Sequence, residues 1–210
     1  MERLPVLDKG FIELEEWMGG DAAVVRAARI CYRSVAKSPE ADERLIRREL
    51  KREPKVNTIF EHAVFRWHIK CPIFVARQWH RHRIGSFNEL SLRYCVAERA
   101  YYVPENEADI DEYRAHMEAS FDLYERLVAA GWRKERARAV LGTGVYTEFI
   151  WTVNAWSFMN WLTKRLDKAA QWEHRQYARA AYRIWRGIMP ITANAYYEAV
   201  LKPLGLEVEE

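Results

Sequence analysis

The basic segment Arg77–Tyr94 constrains this chain more than any other part of the sequence. It carries four arginines and two histidines in eighteen residues, and no acidic residue occurs between Ala63 and Asn88. Charges of one sign at this density repel one another unless an anion lies among them. Aromatic and small polar side chains, among them Trp79 and Phe87, interrupt the run. This mixture suits a ligand that has phosphates and a flat ring, as a nucleotide has, whereas a solvated basic loop is the general alternative.

The composition is that of one folded domain, which we predict to span residues 1–210. Half of the residues are hydrophobic, enough for a sizeable core, and the net charge is only +3. So small a charge argues against a protein that coats nucleic acid. Three cysteines, an odd number without CxxC spacing, favour a reducing compartment. Because no apolar run reaches membrane length and no signal-peptide pattern is present, we predict a cytoplasmic location without a membrane partner.

Hydrophobic periodicity predicts an α+β fold, in which long helices surround a small antiparallel sheet. Alternating residues predict strands at Phe11–Trp17, within Phe60–Cys71 and at Val145–Val153. Asp21 and Asn154 are predicted to cap helices. The predicted helices are Asp21–Cys31, Ala41–Arg52, Pro72–Arg83, Asp109–Gly131, Arg133–Leu141, a helix from Asn154 to Leu166, Ala170–Met189 with Trp172 on its core side, and Thr192–Leu201.

The helix predicted at Pro72–Arg83 organises the basic segment. Gln78, Arg81 and His82 are spaced i, i+3 and i+4, so a continuous helix would place them on one face. The residues that follow are predicted to form a polar turn at Ser86–Asn88 and short strands at Ser91–Tyr94 and Tyr101–Val103.

Other kinds of site fit the segment less well. His80 and His82 suggest a metal, but neighbouring arginines disfavour a dication and no Cys or carboxylate completes a ligand set, so no metal is predicted. Ser91 lacks the GxSxG elbow of a nucleophilic serine. Cys71 lies in an apolar stretch, where a structural role is favoured over a nucleophilic one.

Several separated motifs match a known family. Arg81-His82-Arg83 is followed, after seven residues, by Ser91. Further matches are Ser86, Asn88, Glu89, Arg93 and Tyr94 in the same segment, Thr58 and Phe60-Glu61-His62 upstream, and Asn154, Asn160, Arg165 and Gln171-Trp172-Glu173 downstream. These blocks occur in the family order over about residues 8–200. The chain therefore resembles the flavin-dependent thymidylate synthases.

The resemblance implies a reaction, a cofactor and an assembly. The family converts dUMP to dTMP, with methylenetetrahydrofolate as the one-carbon donor and NADPH as the reductant through FAD. It uses no enzymic cysteine to attack the pyrimidine, which agrees with the lack of a credible cysteine nucleophile here. Its members are homotetramers with flavin sites between subunits.

The resemblance also implies site residues. Arg165 is the implied catalytic residue, which would polarise the uracil ring near N3, although by itself it reads as a cation at a helix C-terminus. His82 would lie against the flavin or folate ring, or be structural. The implied dUMP-binding residues are Gln78, Trp79, His80, Arg81, Glu89, Leu90, Ser91, Leu92, Arg93, Arg138 and Arg165, with Arg93 and Arg138 as phosphate clamps. The implied FAD-binding residues are Thr58, Arg81, His82, Arg83, Glu89, Asn154 and Asn160.

The chain departs from the family pattern at some positions. Val56 replaces the first His of the upstream block and Ile59 replaces its Pro, while Trp156 and Ala169 stand where some relatives have Arg and His. These changes are expected to affect cofactor affinity more than reaction type. Two alternatives remain: a flavin- or nucleotide-binding protein without catalysis, and a nucleic-acid-binding module that uses the basic and aromatic strip.

Overall fold

Five antiparallel strands form one open sheet in the order β1-β2-β3-β5-β4. The computed structural model describes residues 3–31, 33–35, 38–52, 58–105 and 107–208. The central pair, β3 and β5, stays in register from Val64 opposite Asn154 to Pro72 opposite Tyr146. The strands are β1 Arg3–Val6, β2 Gly10–Met18, β3 Val64–Pro72, β4 Ser86–Glu89 and β5 Tyr146–Asn154. The predicted α+β class with a small antiparallel sheet is confirmed.

The helices lie around this sheet. They are α1 Asp21–Ile30, α2 Pro39–Lys51, α3 Ile73–Trp79, α4 Ile110–Ala129, α5 Lys134–Ala137, α6 Ala155–Leu166, α7 Trp172–Ile188 and α8 Pro190–Tyr196. Short 3-10 turns cover Thr58–His62, Arg138–Val140 and Lys202–Leu204, and a π-turn covers Tyr197–Leu201. Within the described residues, none of these helices has the length and apolar character that a bilayer crossing requires.

The alternation predicted for β3 is confirmed and explains where the core lies. Phe65, Trp67 and Ile69 are completely buried, whereas Arg66 is exposed. The Trp67 ring stacks on Phe158 of α6, with 5.5 Å between ring centroids. Large aromatic side chains bury much apolar surface each, so this layer between sheet and α6 supplies a large part of the hydrophobic stabilisation.

The helix predicted at Pro72–Arg83 is too long. α3 ends at Trp79, and the next turn tightens, with Arg81 N donating to Gln78 O at 3.4 Å and His82 N donating to Trp79 O at 3.0 Å. Such i to i+3 bonds are common where a helix ends. Arg81 and His82 therefore follow the helix, and the predicted shared helical face does not exist.

The predictions for the residues after α3 are also wrong. The expected polar turn at Ser86–Asn88 is strand β4, because Phe87 stacks over Trp151 on the neighbouring β5. The expected strand Ser91–Tyr94 is a turn, in which Tyr94 N and Cys95 N both donate to Ser91 O. At Tyr101–Val103, the structure shows an isolated bridge from Tyr101 to Val145.

Two other side chains differ from expectation, while one helix cap is confirmed. Asn154 caps α6, its Oδ1 accepting from Ser157 N at 2.8 Å. Asp21 does not cap its own helix: its carboxylate accepts from Ile191 N and Thr192 N, both at 2.9 Å, and from the Thr192 hydroxyl. It thereby ties α1 to the start of α8. Trp172, predicted on the core side of its helix, is 49% exposed.

Replacing Asp21 with Ala should lower the free energy of unfolding by about 2 kcal/mol, because three donors at the start of α8 lose a charged acceptor. Asp111→Ala is the matched control, since Asp111 is an exposed aspartate in the first turn of α4. Urea denaturation measures both variants. An equal, small loss in the two would show that Asp21 does not tie the helices together.

Candidate active site

A cavity of about 430 Å³ lies where the connection after α3 meets α6. Four cationic side chains line it, and no carboxylate is among the described residues of its wall. An unneutralised group of this kind favours an anionic ligand. The lining residues are Arg81, His82, Arg83, Ile84, Trp151, Ser157, Asn160, Lys164 and Arg165.

Helix α6 supplies one wall of the cavity through its period. Ser157, Asn160 and Lys164 are spaced i, i+3 and i+7 and so share a face. The opposite stripe, which includes Phe158 and Leu162, is fully buried against the sheet. Packing of the apolar stripe therefore fixes how the polar face meets the cavity.

Arg165, in the last turn of α6, is held at three points. Its Nε donates to His82 Nε2 at 2.9 Å, its Nη2 donates to the Gln78 carbonyl at 3.1 Å, and its Nη1 lies 3.4 Å from Gln78 Oε1. A guanidinium has five N–H donors. Three are used here, so one N–H on each terminal nitrogen remains for a ligand. Burial lowers the pKa of Arg165 from its usual value. An arginine nevertheless stays protonated, so the side chain keeps its positive charge.

His82 is the neutral partner of this cation. Burial first, and then the charges of Arg165 and Lys164, lower the pKa of His82 to about 4. The ring is therefore uncharged at neutral pH. Because Nε2 accepts from Arg165, the proton of the neutral ring lies on Nδ1.

Gln78 connects the pair formed by Arg165 and His82 to the start of α7. Its Oε1 faces the Arg165 guanidinium, while its Nε2 donates to Oε1 of Gln171, which stands just before α7. Gln78 is half-buried behind the cavity, outside its lining.

The Trp79 side chain lies in the core beneath the site. It is completely buried, and its ring stacks on Trp161 at 4.7 Å and on His174 at 4.9 Å between centroids. Trp161 Nε1 donates to His174 Nε2 at 3.2 Å. Burial lowers the pKa of His174 well below its usual value, so this histidine is neutral as well. The stack fixes the end of α3 from which Gln78 and His82 extend.

A second group of implied substrate residues lies outside the cavity wall. Arg93 Nε donates to Glu135 at 3.3 Å, and Lys134 donates to the Tyr94 carbonyl at 2.9 Å, so this turn rests on α5. Glu89 accepts from the Thr147 hydroxyl at 2.8 Å. The remaining members are Leu90, whose N donates to Glu148 O, half-buried Ser91 and Leu92, and exposed Arg138 in the 3-10 turn after α5.

His80 lies between the two groups. Its ring meets Phe87 and Phe149 edge to face, at 4.8 Å and 5.0 Å between centroids. Its Nδ1 is 4.0 Å from a Glu89 carboxylate oxygen. Burial lowers the pKa of His80, and Glu89 opposes that shift.

The implied flavin residues are divided in the same way. Four of them line the cavity, namely Arg81, His82, Arg83 and Asn160. Thr58 is exposed at the start of its 3-10 turn. The Asn154 side chain is engaged in capping α6.

The departures from the family pattern fall at three kinds of position. Val56 is outside the described residues. Trp156 is half-buried and stacks on Phe60, with centroids 6.4 Å apart. Ala169 is exposed, and its N–H is bound by the Asp167 side chain. The tryptophan therefore packs rather than presenting a charge.

The donors around the cavity fit a dinucleotide cofactor such as FAD. Arg81, Arg83 and Lys164 would neutralise a pyrophosphate without a competing carboxylate in the described wall. The Trp151 indole Nε1 is a buried donor without a hydrogen-bond partner in the described part of the chain. A Cβ at Gly85 would come within 2.8 Å of that nitrogen, so a larger residue there would press on the Trp151 indole.

Nucleophilic catalysis by a buried cysteine is disfavoured. Cys71 is completely buried, and burial raises the pKa of its thiol well above the usual value, so it is a poor nucleophile. Cys31 and Cys95 are exposed. Among the residues described, no three His, Cys, Asp or Glu side chains are grouped so as to hold a metal ion.

Sequence reasoning missed several residues of the site. Ser157 and Lys164 could be found from their helical spacing to Asn160. Trp151 could not, because it reaches the site through the pairing of β5 with distant strands. Gln171 belongs to a matched block of the family pattern, but its bond to Gln78 could not be read from sequence spacing.

Comparison with known proteins identifies the family. A family model described as thymidylate synthase complementing protein matches residues 13–191. Two flavin-dependent thymidylate synthases are 44% and 38% identical to the chain. The first, from Thermotoga neapolitana, matches over 95% of this chain and 96% of its own length. The second, from Thermus thermophilus, matches over 95% of this chain and 80% of its own.

A solved structure has the same fold. The UMP/dUMP methylase PolB from Streptomyces cacaoi, bound with 5-Br dUMP, superposes with a TM-score of 0.84 at 26% identity, covering 93% of this chain and 97% of its own. With a family model and relatives that match almost the whole chain, the assignment does not depend on one motif. The chain belongs to the thymidylate synthase complementing protein family and is a methyltransferase of the flavin-dependent thymidylate synthase type.

Proposed function

We propose that this protein converts dUMP to dTMP, with methylenetetrahydrofolate as the one-carbon donor and NADPH as the reductant through bound FAD. One observation carries the proposal: the Arg165 cation, fixed by His82 and Gln78, faces a cavity without a carboxylate in its described wall. The names of the relatives support the flavin and the product, and the 5-Br dUMP bound to PolB supports the substrate.

FAD, when bound, supplies the hydride that reduces the transferred one-carbon unit. Arg81, Arg83 and Lys164 would hold its pyrophosphate, and Asn160 would bind a polar edge. His82 offers a flat, neutral ring beside them. Thr58, Glu89 and Asn154 remain proposed contacts on the resemblance alone.

Arg165 would act on the uracil ring. Negative charge develops on the pyrimidine during transfer, and a fixed cation that needs no reorientation stabilises such charge strongly. The two N–H groups that the described residues leave unused on Arg165 suit a carbonyl and the adjacent ring nitrogen. Neutral His82 holds the cation and leaves its charge intact, whereas a carboxylate in the same place would neutralise that charge.

Arg93 and Arg138 would bind the dUMP phosphate, with Ser91 and its neighbours around them. These residues lie outside the wall of the Arg165 cavity in the same chain. We therefore propose a homotetramer in which one subunit completes the cavity of another. We also propose that the protein is located in the cytoplasm. Gln78, Trp79, His80 and Arg81 would border dUMP, with Trp79 contributing its backbone.

A second substrate, UMP, merits a direct test, because PolB is a UMP/dUMP methylase whose structure also exists with 5-Br UMP.

The main test of the proposal is an activity assay. Purified protein should be yellow or take up FAD, and should form dTMP from dUMP, NADPH and methylenetetrahydrofolate. UMP in place of dUMP measures selectivity for the sugar. Colourless protein that FAD does not restore would reject the proposal, and yellow protein without dTMP would favour a binding protein.

Arg165→Ala should lower kcat by about 100-fold or more while FAD content stays near that of the wild type, because a preorganised cation is lost from the transition state. Steady-state kinetics and flavin absorbance measure the two effects. Arg126→Ala, at an exposed position in α4, is the control. Unchanged kcat in Arg165→Ala would exclude the proposed role.

The pKa of His82 predicts a pH dependence of stability. The folded-state pKa of about 4 lies below the usual 6.5, so unfolding takes up a proton between these values. The free energy of unfolding should therefore be highest above about pH 6.5 and fall as pH decreases toward 4. Buried His174, with its lowered pKa, adds a change of the same sign.

Urea denaturation at pH 7 and pH 5 measures this dependence. His82→Asn should reduce the difference between the two pH values, and His174→Phe should reduce it further. Equal differences in wild type and both variants would contradict the protonation states described above.

A further inference from the structure

The connection between α6 and α7 contains a glutamine whose side chain does not serve its own helix. Gln171 occupies the N-cap position of α7, and its carbonyl accepts the first helical bond, from Arg175 N at 3.1 Å. Side chains at this position commonly accept a backbone N–H of their own helix. The Gln171 side chain makes no such capping bond and instead accepts from Nε2 of Gln78.

That bond and the contact with Arg165 together define one orientation of the Gln78 amide. With Nε2 donating to Gln171, Oε1 is the atom that faces Nη1 of Arg165. The reversed amide would direct its NH2 at the guanidinium and lose that contact, and it would keep a bond to Gln171 only if the Gln171 amide turned over as well. An amide oxygen also complements the positive charge that burial makes harder to maintain on Arg165.

Gln171 is itself held by a well-bonded connection. Ala170 N donates to Asp167 O at 2.9 Å, Ala169 N donates to the Asp167 carboxylate at 2.8 Å, and the Arg175 guanidinium donates to Lys168 O at 3.3 Å. The acceptor that orients Gln78 thus stands on a fixed segment between the two helices. A side chain that is supported in this way can hold a neighbour within the tolerance that catalysis needs.

We propose that Gln171 is a positioning residue, which sets the Gln78 amide and, through it, aims the free N–H groups of Arg165 at the uracil edge of the substrate. The inference rests on the proposed function, because it gives Arg165 its target. Gln171 does not touch the pyrimidine: it acts through Gln78. Its removal should therefore affect the chemical step more than the binding of dUMP or FAD.

Gln171→Leu tests this, since leucine has a similar size and no acceptor. We expect kcat to fall about tenfold, with the KM for dUMP changed less than threefold and FAD content unchanged. Gln171→Glu keeps an acceptor for Gln78 Nε2 and should recover most of the lost rate. Gln176→Leu, the same substitution elsewhere in α7, is the control and should keep the wild-type kcat.

A double-mutant cycle with Gln78→Leu separates positioning from a structural role. If Gln171 acts through Gln78, adding Gln171→Leu to Gln78→Leu should leave kcat unchanged within about twofold. Calorimetric titration with dUMP and urea denaturation, which need no turnover, should show near wild-type binding and stability in Gln171→Leu.

The outcomes distinguish this inference from the function on which it rests. A wild-type protein that forms no dTMP would overturn both. An active wild type would leave the function standing, and the inference alone would then fail on any of three results: an unchanged kcat in Gln171→Leu, independent effects in the cycle, or a loss of rate that a loss of folded protein explains.

Discussion

The contact between the Arg165 guanidinium and neutral His82 is the interaction on which the site depends. It fixes a cation beside an open cavity without neutralising it, because the acceptor is an imidazole nitrogen rather than a carboxylate. A carboxylate partner would occupy the same N–H and cancel the charge that we propose acts on the pyrimidine. Burial, and then the charges of Arg165 and Lys164, keep the pKa of His82 low, so the ring stays neutral and accepts from Arg165 without cancelling its charge.

The fold explains how this pair is held. β3 and β5 form the centre of the sheet, and α6 packs its apolar stripe on them. α3 ends in the stack of Trp79, Trp161 and His174, which connects the end of one helix to the body of two others. Gln78 extends from α3 and His82 from the turn just after it, while Arg165 approaches from α6. The three groups meet because α3, with the turn after it, and α6 converge on this stack, and no local periodicity places Arg165 beside the other two.

The sequence could predict features that local residues determine, but not those that depend on contacts between distant segments. Alternation in β3, the Asn154 cap and the apolar stripe of α6 follow from local periodicity, and each is confirmed. The end of α3 was predicted wrongly, because burial of Trp79 and the tight turn after it are decided by tertiary packing. Asp21 was predicted wrongly for a similar reason, since its partners in α8 lie far along the chain.

The site divides along the same line. The motif around Arg81-His82-Arg83 identified residues of the cavity wall, and the family resemblance identified Arg165. Local spacing did not reveal the contact between Gln171 and Gln78 or the aromatic stack under the site. It also did not reveal that Arg93 contacts Glu135 of α5 and lies outside the cavity of its own chain. These depend on contacts between segments that no periodicity encodes. The second group of arginines is the reason to propose that subunits share the site.

A crystal structure of the protein with FAD and 5-bromo-dUMP tests the central claim most directly. The account predicts the uracil edge within about 3 Å of the terminal nitrogens of Arg165, with Nε still bound to His82. A uracil ring bound elsewhere, with Arg165 facing solvent or a carboxylate, would contradict it.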